Sequence, residues 1–284
     1  LAKLVMINVS LYDGSFAHAY SCSNGDLNIL SKHVHFDREN IHDIAFFTDG
    51  YVTCDSIDNH NHKRKIAWLL EPRSILPDLY SFDIDWSKFD FILTHDKQFI
   101  KDVQSHTNAN VYWYPVGGTW LYESDWVIYP KTKNLSIIAS GKRETVGHKM
   151  RHDIIDRFRS HFDAIHGRGY QCVEYKFESL APYRFSTIIE NARIDDYFSE
   201  KLIDCLLTGT IPIYYGTNNI GNYFDTNGML LIDNVDSFSN IIPMLNEEYY
   251  ESKMDIILEN YNRAKEYVNT EDWIYNKYKD ILFV

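Results

Sequence analysis

The residue types that could do chemistry gather between Glu190 and Lys201, in the stretch ENARIDDYFSEK. Lys201 carries a full positive charge, Glu200 can accept from hydroxyls, and Asn191 and Tyr197 add neutral hydrogen-bonding groups. If a helix begins at Ser199, its first N–H groups and partial positive charge join Lys201 in favouring a phosphate. The same residues also describe an ordinary capped helix whose first-turn Glu and Lys lie in water.

Those residues need elements to hold them. Residues 185–189 read as a buried strand running out into the polar pair Glu190 and Asn191. Ser199 suits the N-cap of a helix whose apolar stripe is Leu202, Ile203, Leu206 and Leu207. Gly209 stands where a left-handed stop belongs, and residues 211–215 form the next strand, with Pro212 near its start. A strand, helix and strand in this spacing predict a right-handed parallel crossover. Ligands of such folds lie at the carboxyl ends of the strands, beside helix starts.

The order FxxxxEN from Phe185, a short loop, Tyr197, Ser199-Glu200-Lys201, an apolar helix and TIPIxxG from Thr210 resembles the donor-binding signature of the alpha-1,3-fucosyltransferase family. Several spaced polar positions and two apolar segments must agree at once, which makes the pattern specific. It extends upstream to Arg151 and downstream toward Asn234, and Tyr183 to Phe185 stand where the family has Tyr-Lys-Phe. Ala192 replaces a usual Ser or Thr, and Ser199 a Thr.

The resemblance implies an inverting, metal-independent glycosyltransferase of the GT-B architecture, moving a sugar, expected to be fucose, from a GDP-sugar donor to a hydroxyl of a glycan acceptor. No cofactor is implied. Arg151, after the loop SGKRETVGHK, matches the family arginine on the donor phosphates, and a guanidinium fork suits a departing diphosphate. Lys201 is expected beside it, with Asn191, Tyr197 and Glu200 around phosphates and ribose, and Glu190 organising the strand end. The reaction also needs a carboxylate to take the acceptor's proton. Glu71, ending KIAWLLE before Pro72, stands near where the family has a Glu close to a Pro, although the spacing differs; a turn-capping role is the alternative.

Other motifs point elsewhere. Asp83 and Asp85 form a DxD, the metal-holding signature of GT-A glycosyltransferases, but they sit in the loop-like stretch LYSFDIDWS. A metal-dependent enzyme using them is the first competing reading; a non-catalytic nucleotide-sugar or carbohydrate-binding module lacking the base is the second. His33 with His35, and His60 with His62, lack an evident third ligand and read as surface histidines. The turn HGRG at His166 could bring backbone near a nucleotide, although a plain turn is the simpler reading.

The amino-terminal half alternates expected strands at 4–9, 44–48, 65–70, 89–94 and 111–116 with helices near 27–32 and 97–105. The second half repeats the pattern: strand 135–139, loop 140–148, helix 150–162, strand 162–165, the central segment, and strand 230–232. Polar residues near 129–134 suggest a boundary. The expected fold class is therefore α/β, with two Rossmann-like domains facing a cleft: an acceptor domain over 1–132 and a donor domain over 133–284 that carries the C-terminal helices. Residues 249–284 read as two helices, the last crossing back onto the first domain.

The formal net charge of -12 argues against nucleic acid or an anionic membrane as the main partner. Cys22, Cys54, Cys172 and Cys205 form no CxxC pair. No run reaches membrane-spanning length and no secretory signal is evident, so a soluble, cytoplasmic protein is expected, although a chain beginning at Leu1 could lack an upstream segment. Oligomeric state is not legible in the sequence.

Overall fold

The computed structural model describes residues 6–14, 30–81 and 83–284. The chain divides into two units, Leu1–Gly118 with Asn269–Val284, and Thr119–Val268. The candidate helix at 27–32 begins, and the strand expected at 4–9 also begins, outside the described residues.

The first unit carries β1 (Ile7–Tyr12), β2 (Val34–Asp37), β3 (Ile44–Thr48), the short helix α1 (Ser56–Asn59), β4 (Arg64–Leu69), β5 (Phe91–Thr94), α2 (Lys97–His106) and β6 (Val111–Trp113). All six strands are parallel, in the order β2-β1-β3-β4-β5-β6. Every residue of β3 is buried, as a parallel strand covered on both faces requires. Its alternating side chains serve two separate cores. Ala45 and Phe47 pack with Phe99 and Val103 of α2, whereas Ile44 and Phe46 pack in the cluster that holds Ile274 and Leu282.

The second unit contains β7 (Lys133–Ile138), α3 (Val146–Phe158), β8 (Ala164–His166), β9 (Tyr183–Ile189), α4 (Glu200–Leu207), β10 (Ile211–Tyr215), β11 (Leu230–Leu231), α5 (Val235–Ile241), α6 (Glu247–Glu251) and α7 (Met254–Ala264). Its parallel sheet runs β11-β10-β9-β7-β8. Gly209 has φ +68°, the left-handed stop expected after α4. Helix α3 starts earlier than expected because Thr145 and His148 form a reciprocal capping box.

The tail after residue 246 forms three helices rather than two, and the last, α8 (Thr270–Leu282), belongs to the first unit. Its Asp272 accepts from the Ser31 hydroxyl at 2.6 Å, and the Tyr278 hydroxyl donates to the Trp113 carbonyl at 2.6 Å.

Residues 119–132, grouped by the sequence reading with the first domain, lie in the second unit. Lys131, one of the polar residues that suggest a boundary near 129–134, donates from its ammonium to the Ala181 carbonyl (2.9 Å), the Thr208 carbonyl (2.8 Å) and Thr210 Oγ1 (2.9 Å). Among the described residues no helix is long and apolar enough to cross a membrane.

Candidate functional site

In the second unit the chain builds β7 first, adds β8 on one side and β9 to β11 on the other. The winding reverses between β7 and β9, and the crevice beyond the carboxyl ends at such a reversal is where open α/β sheets bind ligands. The segments leaving those two strands lead to α3 and α4, and they carry most of the residues singled out in the sequence.

Gly147, in the first turn of α3, locks the two segments together. A Cβ there would stand 1.9 Å from the Glu190 carbonyl oxygen, and the Gly147 N–H donates to the Asn191 carbonyl at 3.1 Å. Sequence reasoning passed over this glycine; its signal is a glycine placed inside a helical turn, where only close packing justifies one.

Arg151 does not open α3, as expected, but lies in its second turn, 7% exposed. Its Nε donates to the Ile189 carbonyl at 3.1 Å, Nη2 also reaches that carbonyl, and Nη2 donates to Asn191 Oδ1 at 3.1 Å. Arg151 thus binds the last carbonyl of β9 and the amide of Asn191. No hydrogen bond of Nη1 is found among the described residues, which leaves two N–H groups for an anion. Burial lowers the guanidinium's pKa, and Glu190, Glu200 and Tyr197 oppose that shift.

Glu190 is fully buried, and its carboxylate accepts from the Ser199 N–H (2.9 Å) and hydroxyl (2.7 Å), which anchors the start of α4. Lys201 Nζ donates to Glu200 Oε1 at 3.0 Å and Ser199 Oγ at 3.1 Å, and stands 3.9 Å from Glu190 Oε2. Burial pushes Glu190 up toward its protonated form, with Lys201 the main opposing influence. Burial acts to lower Lys201, but Glu200 and Glu190 outweigh it and hold the ammonium above its usual value. Burial acts to raise Glu200, and Lys201 and Lys176 outweigh it, so this carboxylate stays ionised.

The helix start itself offers fewer free donors than the sequence suggests. The Lys201 N–H meets Ser199 Oγ at 3.4 Å, and the N–H groups of Leu202 and Ile203 reach the Ser199 carbonyl. Ser199 is buried, while the Glu200 and Lys201 side chains remain 19% and 26% exposed. The positive charge near this helix start is therefore carried by the Arg151 and Lys201 side chains rather than by free backbone amides. Tyr197 is buried in the loop between β9 and α4, its N–H on the Ile194 carbonyl.

Lys176 is a cation that the sequence reading missed. Its Nζ stands 3.5 Å from Asp204 Oδ2, on α4 one turn beyond Glu200, and 4.9 Å from the centre of the Trp120 ring. Asp204 is fully buried, accepts from Thr119 Oγ1 and the Trp120 N–H, and is pushed up to about 6 by burial, with Lys176 opposing. Gly167 of the HGRG turn has its Cβ direction filled by the Ala139 carbonyl oxygen, 2.1 Å away, so its freedom serves backbone packing within the unit.

In the first unit Glu71 follows β4 by two residues, half-buried, with its N–H on Asp49 and its carbonyl accepting from the Tyr80 hydroxyl. Asp83 and Asp85 each bond within a local turn. Asp83 accepts from the Ser81 hydroxyl at 3.0 Å, and Asp85 accepts from the Ser87 N–H and hydroxyl. Both line a groove with Arg64, Phe91 and Asn110, beside the amino ends of β4, β5 and β6. His62, read as a surface residue, is buried, with Nδ1 on the His42 carbonyl (2.7 Å) and Nε2 on the Tyr12 hydroxyl (3.0 Å). The His33 ring stacks on Tyr275 at 4.2 Å. Among the described residues no group of three or more His, Cys, Asp or Glu is arranged to hold a metal ion.

The family model "Glycosyltransferase family 10 (fucosyltransferase) C-term" matches residues 128–275, just over half of the chain. The chain belongs to this family. It is 43% identical over 51 residues to the GDP-fucose protein O-fucosyltransferase 3 of Bos taurus, a match covering 18% of this chain and 11% of that protein. It is 29% identical over 90 residues to the alpha-(1,3)-fucosyltransferase FucT of Helicobacter pylori, covering 31% of this chain and 19% of the relative. These matches span less than a fifth of either relative. Among solved structures, an alpha1,3-fucosyltransferase crystallised with GDP superposes with a TM-score of 0.56 at 13% identity, over 98% of this chain and 90% of that one. At that identity the likeness concerns the fold, the GT-B pair of parallel α/β units. The family 10 segment spans α3, β9 and α4, and so contains Arg151, Asn191, Tyr197, Glu200 and Lys201.

Proposed function

We propose that this family 10 member is an inverting fucosyltransferase that moves fucose from GDP-fucose to a hydroxyl of a glycan. The observation that carries the reading is the gathering of Arg151, Asn191, Glu200 and Lys201 around the ends of β7 and β9, within the segment the family shares. Arg151 Nη1 and Lys201 Nζ take the diphosphate, and Glu200, Asn191 and Tyr197 take ribose hydroxyls and remaining phosphate oxygens. Arg151 and Lys201 put two cations beside Glu190 and Glu200, which suits a departing diphosphate.

Glu71 acts as general base. It takes the proton of the acceptor hydroxyl as that oxygen bonds to the anomeric carbon. The bond from that carbon to the β-phosphate oxygen breaks, its electron pair leaves with GDP, and the anomeric configuration inverts. Metal ions are not required, because the two side-chain cations meet the departing charge.

The test is a thermal-shift panel of GDP, UDP and CMP with their sugars, followed by a transfer assay with the donor that stabilises. Binding at about a hundredfold excess over Kd adds about 2.7 kcal/mol, so a true donor stands out. Selective stabilisation by GDP and GDP-fucose is expected. Equal response to UDP, or none to GDP, would sink the proposal.

A further inference from the structure

The residue after β3, Asp49, has φ +42°, in the left-handed region that a non-glycine side chain enters only under constraint. What holds it there is visible. Its Oδ1 accepts from the N–H groups of Leu70, at 2.8 Å, and Glu71, at 3.2 Å, the two residues that leave β4. From a second element, the 3-10 turn Pro77–Tyr80, the Tyr80 hydroxyl donates to the Glu71 carbonyl at 2.7 Å. Both polar groups flanking the Glu71 Cα are thus held by buried side chains that come from elsewhere in the unit. Tyr80 is fixed in turn: Arg73 lies over its ring at 5.1 Å and pairs with Asp96 at 3.0 Å.

The clamp is expensive if folding is all it serves. Asp49 is 7% exposed, and its other oxygen, Oδ2, is buried with no hydrogen-bond partner among the described residues. Burial raises its carboxyl to about 6 even though two N–H groups pull the other way. A buried unmet acceptor is destabilising, and a left-handed non-glycine residue adds to that. Such costs collect where geometry matters for chemistry, because displacing a reacting group by about 1 Å lowers a rate about a hundredfold.

We infer that Asp49 and Tyr80 are positioning residues which fix the backbone of Glu71 and so set where its carboxyl stands for proton removal. This rests on Glu71 being the base, and the experiment separates the two ideas. Asp49→Asn keeps an acceptor oxygen and tolerates the left-handed conformation; Asp49→Gly tolerates the conformation but removes the acceptor; Tyr80→Phe removes a single hydroxyl. Steady-state kinetics with GDP-fucose and a glycan acceptor, on each full-length variant and on Glu71→Gln, is the measurement.

Asp49→Gly and Tyr80→Phe are expected to lower kcat by about tenfold to a hundredfold with the donor KM changed less than about twofold. Asp49→Asn is expected to recover kcat to within about threefold of the parent. An inactive Glu71→Gln beside full kcat in Asp49→Gly or Tyr80→Phe would overturn the clamp and leave the base assignment standing. So would a kcat in Asp49→Asn as low as in Asp49→Gly. Full activity in Glu71→Gln overturns the base assignment itself. Should Asp49→Gly not fold, Tyr80→Phe and Asp49→Asn decide alone.

Discussion

Ser199 gives both its N–H and its hydroxyl to the buried carboxylate of Glu190, at 2.9 and 2.7 Å. The end of β9 and the start of α4 are therefore one hydrogen-bonded unit, and Lys201 leans on the same hydroxyl at 3.1 Å. Ser199→Ala removes a cap, a bond to a buried carboxylate and a partner of Lys201 together. Stability is expected to fall by about 1–2 kcal/mol in urea melts. The donor KM should rise, because the ammonium loses one of the groups that aims it.

Lys201, whose side chain is partly exposed, is the cleaner probe of the proposed diphosphate contact. Lys201→Ala is expected to lower kcat/KM by about a hundredfold to a thousandfold, the scale found when one preorganised transition-state donor is lost. Circular dichroism should show a native fold. Unchanged transfer rates would remove Lys201 from the site.

Arg151 calls for a different substitution, because it is buried and holds the Ile189 carbonyl. Arg151→Ala would unmake a structural bond as well as the proposed contact with GDP. Arg151→Lys keeps the charge but loses the fork, and is expected to raise the Kd for GDP at least about tenfold with a modest fall in melting temperature. Calorimetric titration with GDP measures it.

Gly147→Ala would drive a methyl group into the Glu190 carbonyl, 1.9 Å from the ideal Cβ. Backbone faces backbone there, so no side chain can yield. The expected cost is about 3 kcal/mol or more, read from chemical denaturation. Gly169→Ala makes a useful contrast: nothing lies within 4 Å of its Cβ, so the cost is that of its φ of +96° alone.

Asp204 gives a signed pH effect. Its folded pKa, about 6, lies above the unfolded value, so the folded state binds the proton more tightly. The stabilisation from that protonation is fully present below pH of about 4, and is lost as pH rises through about 6. Asp204→Asn has no proton to lose. The stability difference, parent minus variant, should therefore fall between pH 4 and pH 6.5 in parallel thermal melts; a flat difference would contradict the assignment.

Transfer is expected to persist in excess chelator. Asp83→Asn and Asp85→Asn should each leave the rate and the melting temperature essentially unchanged, since both side chains serve exposed local turns. Loss of activity in either variant would revive the metal-dependent reading.

Much of this was legible in the chain, for identifiable reasons. The strands at 44–48 and 211–215 are short apolar runs with turn signals at their ends, and they stand where expected. Ser199 and Gly209 announce a helix by local chemistry that needs no tertiary context. What could not be read was decided by distant partners. Lys131 reads as polarity at a domain boundary until the carbonyls of Ala181 and Thr208 are seen to take its ammonium. Lys176 comes to lie beside α4 because Asp204 faces it. Edge strand β2 carries two of its four residues as His35 and Asp37, too polar a pattern to show a buried run, and the tail reads as two helices where three form because Ser252 and Lys253 interrupt so briefly.

Helix α8 completes the hydrophobic interior of the first unit from the far end of the chain, with Ile274 and Leu282 seated among Val9, Phe46 and Trp68. During synthesis, residues 119–268 can therefore reach their final packing while the earlier-made unit still lacks a wall. A fragment stopped at Gly118 would expose that apolar face and is destined to aggregate. Expressing the first unit alone requires residues 269–284 to be fused back, for example through a short glycine-serine splice.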